Sequence, residues 1–164
     1  MTAEQYRKLS EPFRRSERTK KALTAGSVAI TLLLSAAYIA ETIAFFITND
    51  ERLWRVFFVP AAAFLFVSLL RKIINRPRPY ETLQTEPISP KRTKGKSFPS
   101  RHAFCAGIVS VALFYASPIA GIVAFFLGMV LCFFRVVAGM HYPSDVIFGL
   151  IFGTVITALG IYLP

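Results

Sequence analysis

The stretch HAFCAGIVSVALFYASPIAGIVAFFLGMVLCFF, residues 102–134, contains no Asp, Glu, Lys or Arg over 33 residues. As a single helix it would extend about 50 Å, whereas the hydrocarbon core of a bilayer is about 30 Å thick. The Ser117-Pro118 pair near its middle lacks a backbone donor and interrupts the helix. The stretch therefore predicts two antiparallel membrane helices, about 100–116 and 118–138, both rather short for a bilayer.

Three further apolar segments flank this pair. They are Ala22–Ile47, which carries one charge at Glu41, Leu53–Ile74, whose centre is uncharged, and Val146–Pro164. A spanning helix needs about 20 predominantly apolar residues, and each segment meets this requirement. We therefore predict an all-α integral membrane helical bundle with about five transmembrane helices, a multi-pass protein of a cell membrane.

The composition separates this chain from soluble classes. It is 54% hydrophobic and only 17% charged, with a net charge of +10, whereas soluble domains carry about 25% charged residues. In a soluble protein this positive charge would suggest nucleic acid. In a membrane protein it favours a bilayer with anionic lipids and an anionic substrate, so no nucleic-acid partner is expected. The oligomeric state is left open.

Polar residues concentrate in two segments. Residues 1–21 hold seven Lys and Arg, which fits either an interfacial amphipathic helix or a disordered basic tail. Residues 22–164 are predicted to form a single transmembrane domain. Within it, the polar stretch 75–101 contains five prolines, and connections of this length in compact domains are more often functional than idle.

The basic residues also predict the topology. Five spans place the N-terminal segment, the 75–101 loop and the 135–145 turn on one side, which then holds 17 of the 19 Lys and Arg. By the positive-inside rule this side is cytoplasmic. Residues that bind an anionic substrate would be basic whichever way they faced, but the seven in the N-terminal segment support the prediction without them.

Three polar clusters lie at the membrane boundary on that side, RKIINRPRP at 71–79, SFPSRH at 97–102 and RVVAGMHYPSD at 135–145. They hold both histidines of the chain. The arginine fork suits phosphate oxygens, and helix N-termini present free N–H groups to anions. Ser100 is a plausible N-cap and Pro143 suits a first helical turn. Because no set of metal ligands accompanies them, the clusters suggest covalent phosphoryl transfer through histidine.

The clusters resemble the three signature motifs of the type-2 phosphatidic acid phosphatase superfamily, the lipid phosphate phosphatases, in the same order over about 71–145. The first motif, a Lys followed by six residues and Arg-Pro, is matched at 71–79. Pro-Ser-Gly-His is matched at 99–102. The third motif consists of Ser-Arg, a His after five further residues and an Asp after three more, and it is matched at 134–145.

The chain departs from these motifs at three positions. Arg71 stands in place of Lys and keeps the charge, unless Lys72 serves by a shift of register. Phe134 stands in place of Ser and removes one phosphate donor. Arg101 in place of Gly is the largest change, because it adds bulk and charge where backbone would approach phosphate. Its side chain either contacts a second phosphate or headgroup or points to solvent.

The resemblance implies a role for each matching residue. His141 would be the nucleophile, Asp145 would hold its ring in the attacking tautomer, and His102 would protonate the leaving lipid oxygen. A further group would bind the substrate phosphate: Arg71, Arg78, Ser100 and Arg135, with Lys72 and Arg101 as additional candidates. No cofactor or metal is implied.

The resemblance thus predicts a metal-independent membrane lipid phosphatase that acts through a phosphohistidine. Its substrate would be a lipid phosphate monoester or diphosphate, such as phosphatidate, phosphatidylglycerol phosphate or a polyprenyl phosphate or diphosphate. Two alternatives stay open. A catalytically silent member would bind or move phospholipids, and a vanadate-dependent haloperoxidase would share the arginine–histidine constellation, although five apolar helices argue against it.

Overall fold

The chain is described here by a computed structural model that covers residues 2–83, 86–88 and 93–163. Within the predicted 75–101 loop, residues 84–85 and 89–92 lie outside the described residues, as do residues 1 and 164. The described part contains these α-helices: α1 (Ala3–Arg14), α2 (Glu17–Ile47), α3 (Arg52–Ile74), α4 (Pro79–Thr82), α5 (Arg101–Ala116), α6 (Pro118–Val137) and α7 (Pro143–Tyr162).

Four stretches of the described chain are long and apolar enough to cross a membrane: α2, α3 with its continuation to Thr82, α6 and α7. A fifth, shorter apolar helix is α5. The predicted all-α membrane bundle is therefore confirmed. One detail of the prediction was wrong, because α6 has 20 residues and reaches spanning length, so only α5, with 16, is short. The break falls at Ser117, whose hydroxyl caps α6.

α5 is the central helix of the bundle, and every residue from Ala106 to Leu113 is buried. It packs against α6 and α7, and at α7 small residues let the two backbones approach closely. A Cβ atom built on Gly153 would lie only 2.2 Å from the carbonyl oxygen of Phe104. This approach brings the first turn of α7 against the start of α5, where the Ser100 N–H donates to the Asp145 carbonyl at 2.9 Å.

Part of the N-terminal segment, Ala3–Arg14, forms helix α1, and its place at the membrane interface stays a prediction. Thr2 and Gln5 form a capping box at the start of α1, an arrangement that satisfies backbone donors at a helix N-terminus. Tyr6 is buried, and α1 packs against α2 and α6. α2 begins at Glu17, before the predicted start at 22, because Ser16 provides an N-cap and polar residues can extend a helix beyond the hydrocarbon.

Candidate active site

The three polar clusters meet at one end of the bundle. The Ser97 N–H donates to the Arg76 carbonyl at 2.8 Å, which joins the second cluster to the first. The Arg78 guanidinium donates through Nη1 to the Met140 carbonyl at 3.2 Å, which joins the first cluster to the third. The end of α3, the start of α5 and the turn between α6 and α7 therefore build one site.

His141 lies in the turn between α6 and α7, and its side chain is 2% exposed. Its Nδ1 is 2.8 Å from the Ser97 carbonyl oxygen. A carbonyl only accepts hydrogen bonds, so Nδ1 carries the proton and the neutral ring has its lone pair on Nε2. Among the described residues no hydrogen bond engages Nε2, which leaves this nitrogen available for a substrate.

The protonation of His141 follows from its surroundings. Burial lowers the pKa of His141 to about 4; Asp145 opposes this shift, while the positive charges of Arg78 and Arg135 reinforce it. The ring is therefore neutral at physiological pH, as a nucleophilic imidazole must be.

Asp145 contacts His141 less directly than predicted. Its Oδ2 is 3.7 Å from Nδ1, beyond hydrogen-bond reach. The Ser97 hydroxyl donates to the same oxygen at 2.5 Å, and the Tyr142 N–H donates to it at 3.0 Å. Ser97 thus stands between the two residues: its hydroxyl binds Asp145 and its carbonyl binds His141. An orienting role for Asp145 stays a prediction.

Two residues of this arrangement carried no role in the sequence analysis, Ser97 and Arg76. Arg76 donates to Asp145 Oδ1 at 2.7 Å and lies over the Tyr142 ring at 4.3 Å. Both residues belong to the polar clusters, which is the only sequence signal for them. Neither occupies a motif position, and the contacts that involve them join residues far apart in the chain, so the local pattern could not assign them.

Arg71 and Arg78 are both buried, with 5% and 6% exposure. The Arg71 guanidinium donates to the carbonyl oxygens of Pro99 and Lys96, and Arg78 Nε donates to that of Gly95 at 3.0 Å. Arg71 therefore fastens the described end of the 75–101 loop to α3, and Arg78 joins the same end of the loop to the His141 turn. Lys72, the alternative to Arg71 in a shifted register, is exposed.

Two predicted phosphate-binding residues hold buried polar atoms without a partner among the described residues, Ser100 Oγ and Arg135 Nε. Ser100 is the N-cap of α5, as predicted, but its side chain makes no capping hydrogen bond. An unsatisfied buried polar group costs about 1–3 kcal/mol. Phosphate oxygens accept hydrogen bonds, so both donors suit an anionic ligand.

His102 is the second residue of α5 and is partly exposed. It lines two neighbouring cavities, of about 190 Å³ and 230 Å³, beside α2. Thr31 of α2 also lines both cavities, and Arg135 lines the second. Most of the other wall residues are apolar, among them Leu34 and Leu131. The imidazole therefore faces a largely apolar space. This space lies between the polar site and the membrane-spanning part of the bundle.

Arg101, the largest departure from the motif, is exposed and lines the first cavity. Its guanidinium carbon is 5.9 Å from the centroid of the Phe64 ring on α3, a distance typical of a cation–π contact. The Arg101 side chain borders both the cavity and the surface, so both alternatives for it stay open. Within the described residues, no three His, Cys, Asp or Glu side chains gather as metal ligands would.

The helical membrane bundle brings buried arginines and the two histidines together at one end, which is the set of residues predicted above for a phosphate site. The family model of the PAP2 superfamily matches residues 52–164. The chain belongs to the PAP2 superfamily, which confirms the resemblance read from the three motifs.

Individual relatives agree with this assignment. The lipid A 1-phosphatase of Rhizobium johnstonii is 38% identical over 107 residues, which cover 60% of this chain but only 42% of that protein. The crystal structure of Aquifex aeolicus LpxE is similar with a TM-score of 0.75 at 20% identity, covering 98% of this chain and 94% of that one. The first transmembrane PAP2-type phosphatidylglycerolphosphate phosphatase of Bacillus subtilis has a TM-score of 0.68 at 20% identity, with 96% and 83% covered. At this identity the two structures show the fold alone.

Proposed function

We propose that this protein hydrolyses a phosphate monoester or diphosphate of a membrane lipid through a phosphohistidine at His141. The observation that carries the proposal is the hydrogen bond of His141 Nδ1 to the Ser97 carbonyl. It fixes the tautomer whose Nε2 lone pair attacks phosphorus. The low pKa of His141, about 4, keeps that lone pair free of a proton at neutral pH.

In the first step a bond forms between Nε2 and phosphorus while the bond from phosphorus to the lipid oxygen breaks. The negative charge of the bound substrate favours the imidazolium form of His102. His102 then gives its proton to the leaving oxygen and releases the lipid alcohol, or a lipid phosphate from a diphosphate. In the second step water attacks phosphorus, the bond to Nε2 breaks, and His102 takes the proton of the water. Both histidines return to their initial states.

Charge stabilisation falls to the arginines, since phosphoryl transfer spreads negative charge over the equatorial oxygens. Arg135 Nε and Ser100 Oγ are donors without a partner in the described chain. Arg71 and Arg78 bring two further guanidiniums, each fixed by loop carbonyls. Asp145 and Ser97 keep the ring of His141 in place.

A lipid substrate follows from the position of His102, which protonates the leaving group. This residue lines the two cavities beside α2, whose walls are mostly apolar. A lipid alcohol released at His102 would find its chains against membrane helices. Arg101 at the cavity edge would contact the headgroup or a second phosphate. Phosphatidate, phosphatidylglycerol phosphate, polyprenyl phosphates or diphosphates and, from its relatives, lipid A are the candidate substrates.

The test is phosphate release by the purified full-length protein from a panel of these lipids in EDTA. We expect release from at least one lipid, inhibition by vanadate, and an acid-labile phosphoenzyme in the wild type but not in His141→Ala. His141→Ala should retain less than about 10⁻³ of the rate, because loss of a nucleophile abolishes the covalent route. Lipid binding without release by both proteins would favour the silent alternative, and release by His141→Ala would reject the histidine nucleophile.

We further propose that the site faces the cytoplasm and that the protein resides in a bilayer that contains anionic lipids. α1, the described loop residues and the His141 turn lie at one end of the bundle, and α1 carries exposed Arg7 and Lys8. Lys8→Cys in whole cells tests the orientation, because the native Cys105 and Cys132 lie within α5 and α6. Labelling by a membrane-impermeant maleimide only after permeabilisation is expected. Labelling of intact cells would place the site outside.

A further inference from the structure

The turn that carries His141 is held from several sides. Its Gly139 has φ +76, in the left-handed region. The Gly139 and Met140 N–H groups donate to the carbonyls of Val136 and Arg135, at 2.9 and 3.1 Å. Arg78 binds the Met140 carbonyl at 3.2 Å. These contacts come from the motif region itself.

One contact comes from outside that region, from the N-terminal helix. The Tyr6 side chain of α1 is 1% exposed, and its ring and hydroxyl lie directly against Gly139. A Cβ atom built on Gly139 would be 2.1 Å from Tyr6 Oη and 2.8 Å from Cζ. Tyr6 therefore touches the backbone two residues before His141.

Tyr6 is itself held in place. Arg14, two turns later in α1, donates through Nη2 to Tyr6 Oη at 3.0 Å and to the Glu86 carbonyl in the polar loop. Arg14 Nε also donates to Ser10 Oγ at 3.0 Å, and Ser10 is fully buried. An internal network of α1 thus orients the phenol ring toward the turn and ties both to the loop.

The same side of α1 continues into an apolar contact. Phe13 packs against the cluster formed by Leu23, Val137, Ala138 and Met140, and its ring meets that of Phe133 edge-on at 6.1 Å between centroids. α1 is therefore joined to both sides of Gly139. A helix that only lay on the membrane surface would not bury Tyr6 and Ser10 against the protein.

We propose that Tyr6 is a positioning residue for the phosphoryl-transfer reaction, which sets the place of the His141 turn from the N-terminal helix. This inference rests on the proposed function for its kinetic consequence. A shift of about 1 Å at a reacting group can cost about 10²-fold in rate. Loss of the Tyr6 ring leaves space beneath Gly139, so the effect should fall on kcat, while the arginines still bind the substrate phosphate.

The experiment compares Tyr6→Ala with Tyr162→Ala in the full-length protein. Tyr162 ends α7, about 30 Å along the helix from its first turn, so the same change is made at the far end of the bundle. We expect Tyr6→Ala to lower kcat at least tenfold with KM within about twofold. Tyr6→Phe, which keeps the ring, should restore kcat to within about threefold of wild type. Tyr162→Ala should leave both constants within about twofold.

Hydrogen–deuterium exchange gives a readout that does not depend on activity. The Gly139 and Met140 amides should exchange at least tenfold faster in Tyr6→Ala than in wild type, and at the wild-type rate in Tyr162→Ala. If Tyr6→Ala does not fold, Tyr6→Leu replaces it, since leucine keeps apolar bulk but not the contact with Gly139. Wild-type kcat and unchanged exchange in folded Tyr6→Ala, or in Tyr6→Leu where it replaces Tyr6→Ala, overturn the inference. A wild type that releases no phosphate from any lipid, with faster exchange in the variant, rejects the proposed function but not the positioning contact.

Discussion

Arg52, at the end of the bundle opposite the site, and the buried Arg71 and Arg78 of the site bind different kinds of partner. At the end opposite the site, Arg52 pairs with the Asp50 carboxylate, with Nη2 to Oδ2 at 2.7 Å, and lies over the Phe45 ring at 4.5 Å. At the site, Arg71 and Arg78 bind backbone carbonyls. Within the described chain neither of these two guanidiniums forms a salt bridge.

This difference bears on the proposed binding of a substrate phosphate. A carboxylate would neutralise an arginine and compete with a phosphate, whereas a carbonyl orients the guanidinium and leaves its charge in place. The carboxylate of Asp145 is bound by Arg76 and Ser97, so it does not neutralise Arg71 or Arg78. The site therefore keeps a net positive charge for a substrate, and the opposite end does not.

The largest effect is expected when an arginine is replaced by lysine, once at the site and once at the opposite end. Arg78→Lys keeps the charge but loses the planar fork, and we expect kcat to fall about 10²-fold because oriented donors stabilise the transition state. Arg52→Lys should leave kcat within about twofold and lower the melting temperature by a few degrees. Phosphate-release kinetics and thermal melting in detergent measure both. Equal loss of kcat in the two variants would show that the ends do not differ in function.

A smaller effect is expected from the Ser97 hydroxyl. Ser97→Ala removes the donor to Asp145 but keeps the carbonyl that binds His141, so we expect kcat to fall about tenfold with little change in KM. Ser110→Ala is the matched control, since Ser110 is also buried but its hydroxyl bonds only within α5, to Ala106. Steady-state kinetics separate the cases. Unchanged kcat in Ser97→Ala would mean that the carbonyl alone holds the ring.

The smallest expected effect is a shift in the pH dependence of kcat/KM. Because the pKa of His141 is lowered to about 4, the acidic limb of kcat/KM should lie near pH 4, well below the ordinary histidine value of about 6.5. Arg135→Met removes a positive charge that disfavours the protonated ring, so the limb should move to higher pH. A limb near 6.5 in the wild type would contradict the buried, neutral nucleophile.

The same shift has a stability consequence with a definite sign. The unfolded chain binds a proton at His141 below about pH 6.5, whereas the folded chain does so only below about 4. Stability should therefore fall as pH drops from about 6.5 to about 4, and then level off with respect to this group. Melting temperatures across this range should fall less in His141→Gln than in the wild type.

Much of the molecule was predictable from local patterns. The uncharged run 102–134 and its Ser117-Pro118 break predicted the α5–α6 pair, and the motif spacing predicted which family the chain belongs to. Helix ends were displaced where polar residues continued a helix past the hydrocarbon, as at Glu17. Hydropathy reports transfer into the membrane, and it does not report where helical hydrogen bonding stops.

The sequence by itself determined the helical membrane class, the family and the identity of the polar residues at one end, because these depend on composition and short-range spacing. Only the tertiary structure decided that Ser97 stands between His141 and Asp145, that Arg76 binds Asp145, and that Tyr6 lies against Gly139. Each of these contacts joins residues from different segments of the chain. Which atoms meet there depends on how α5 and α7 approach through glycine and where α1 docks, and a local pattern carries no information on either.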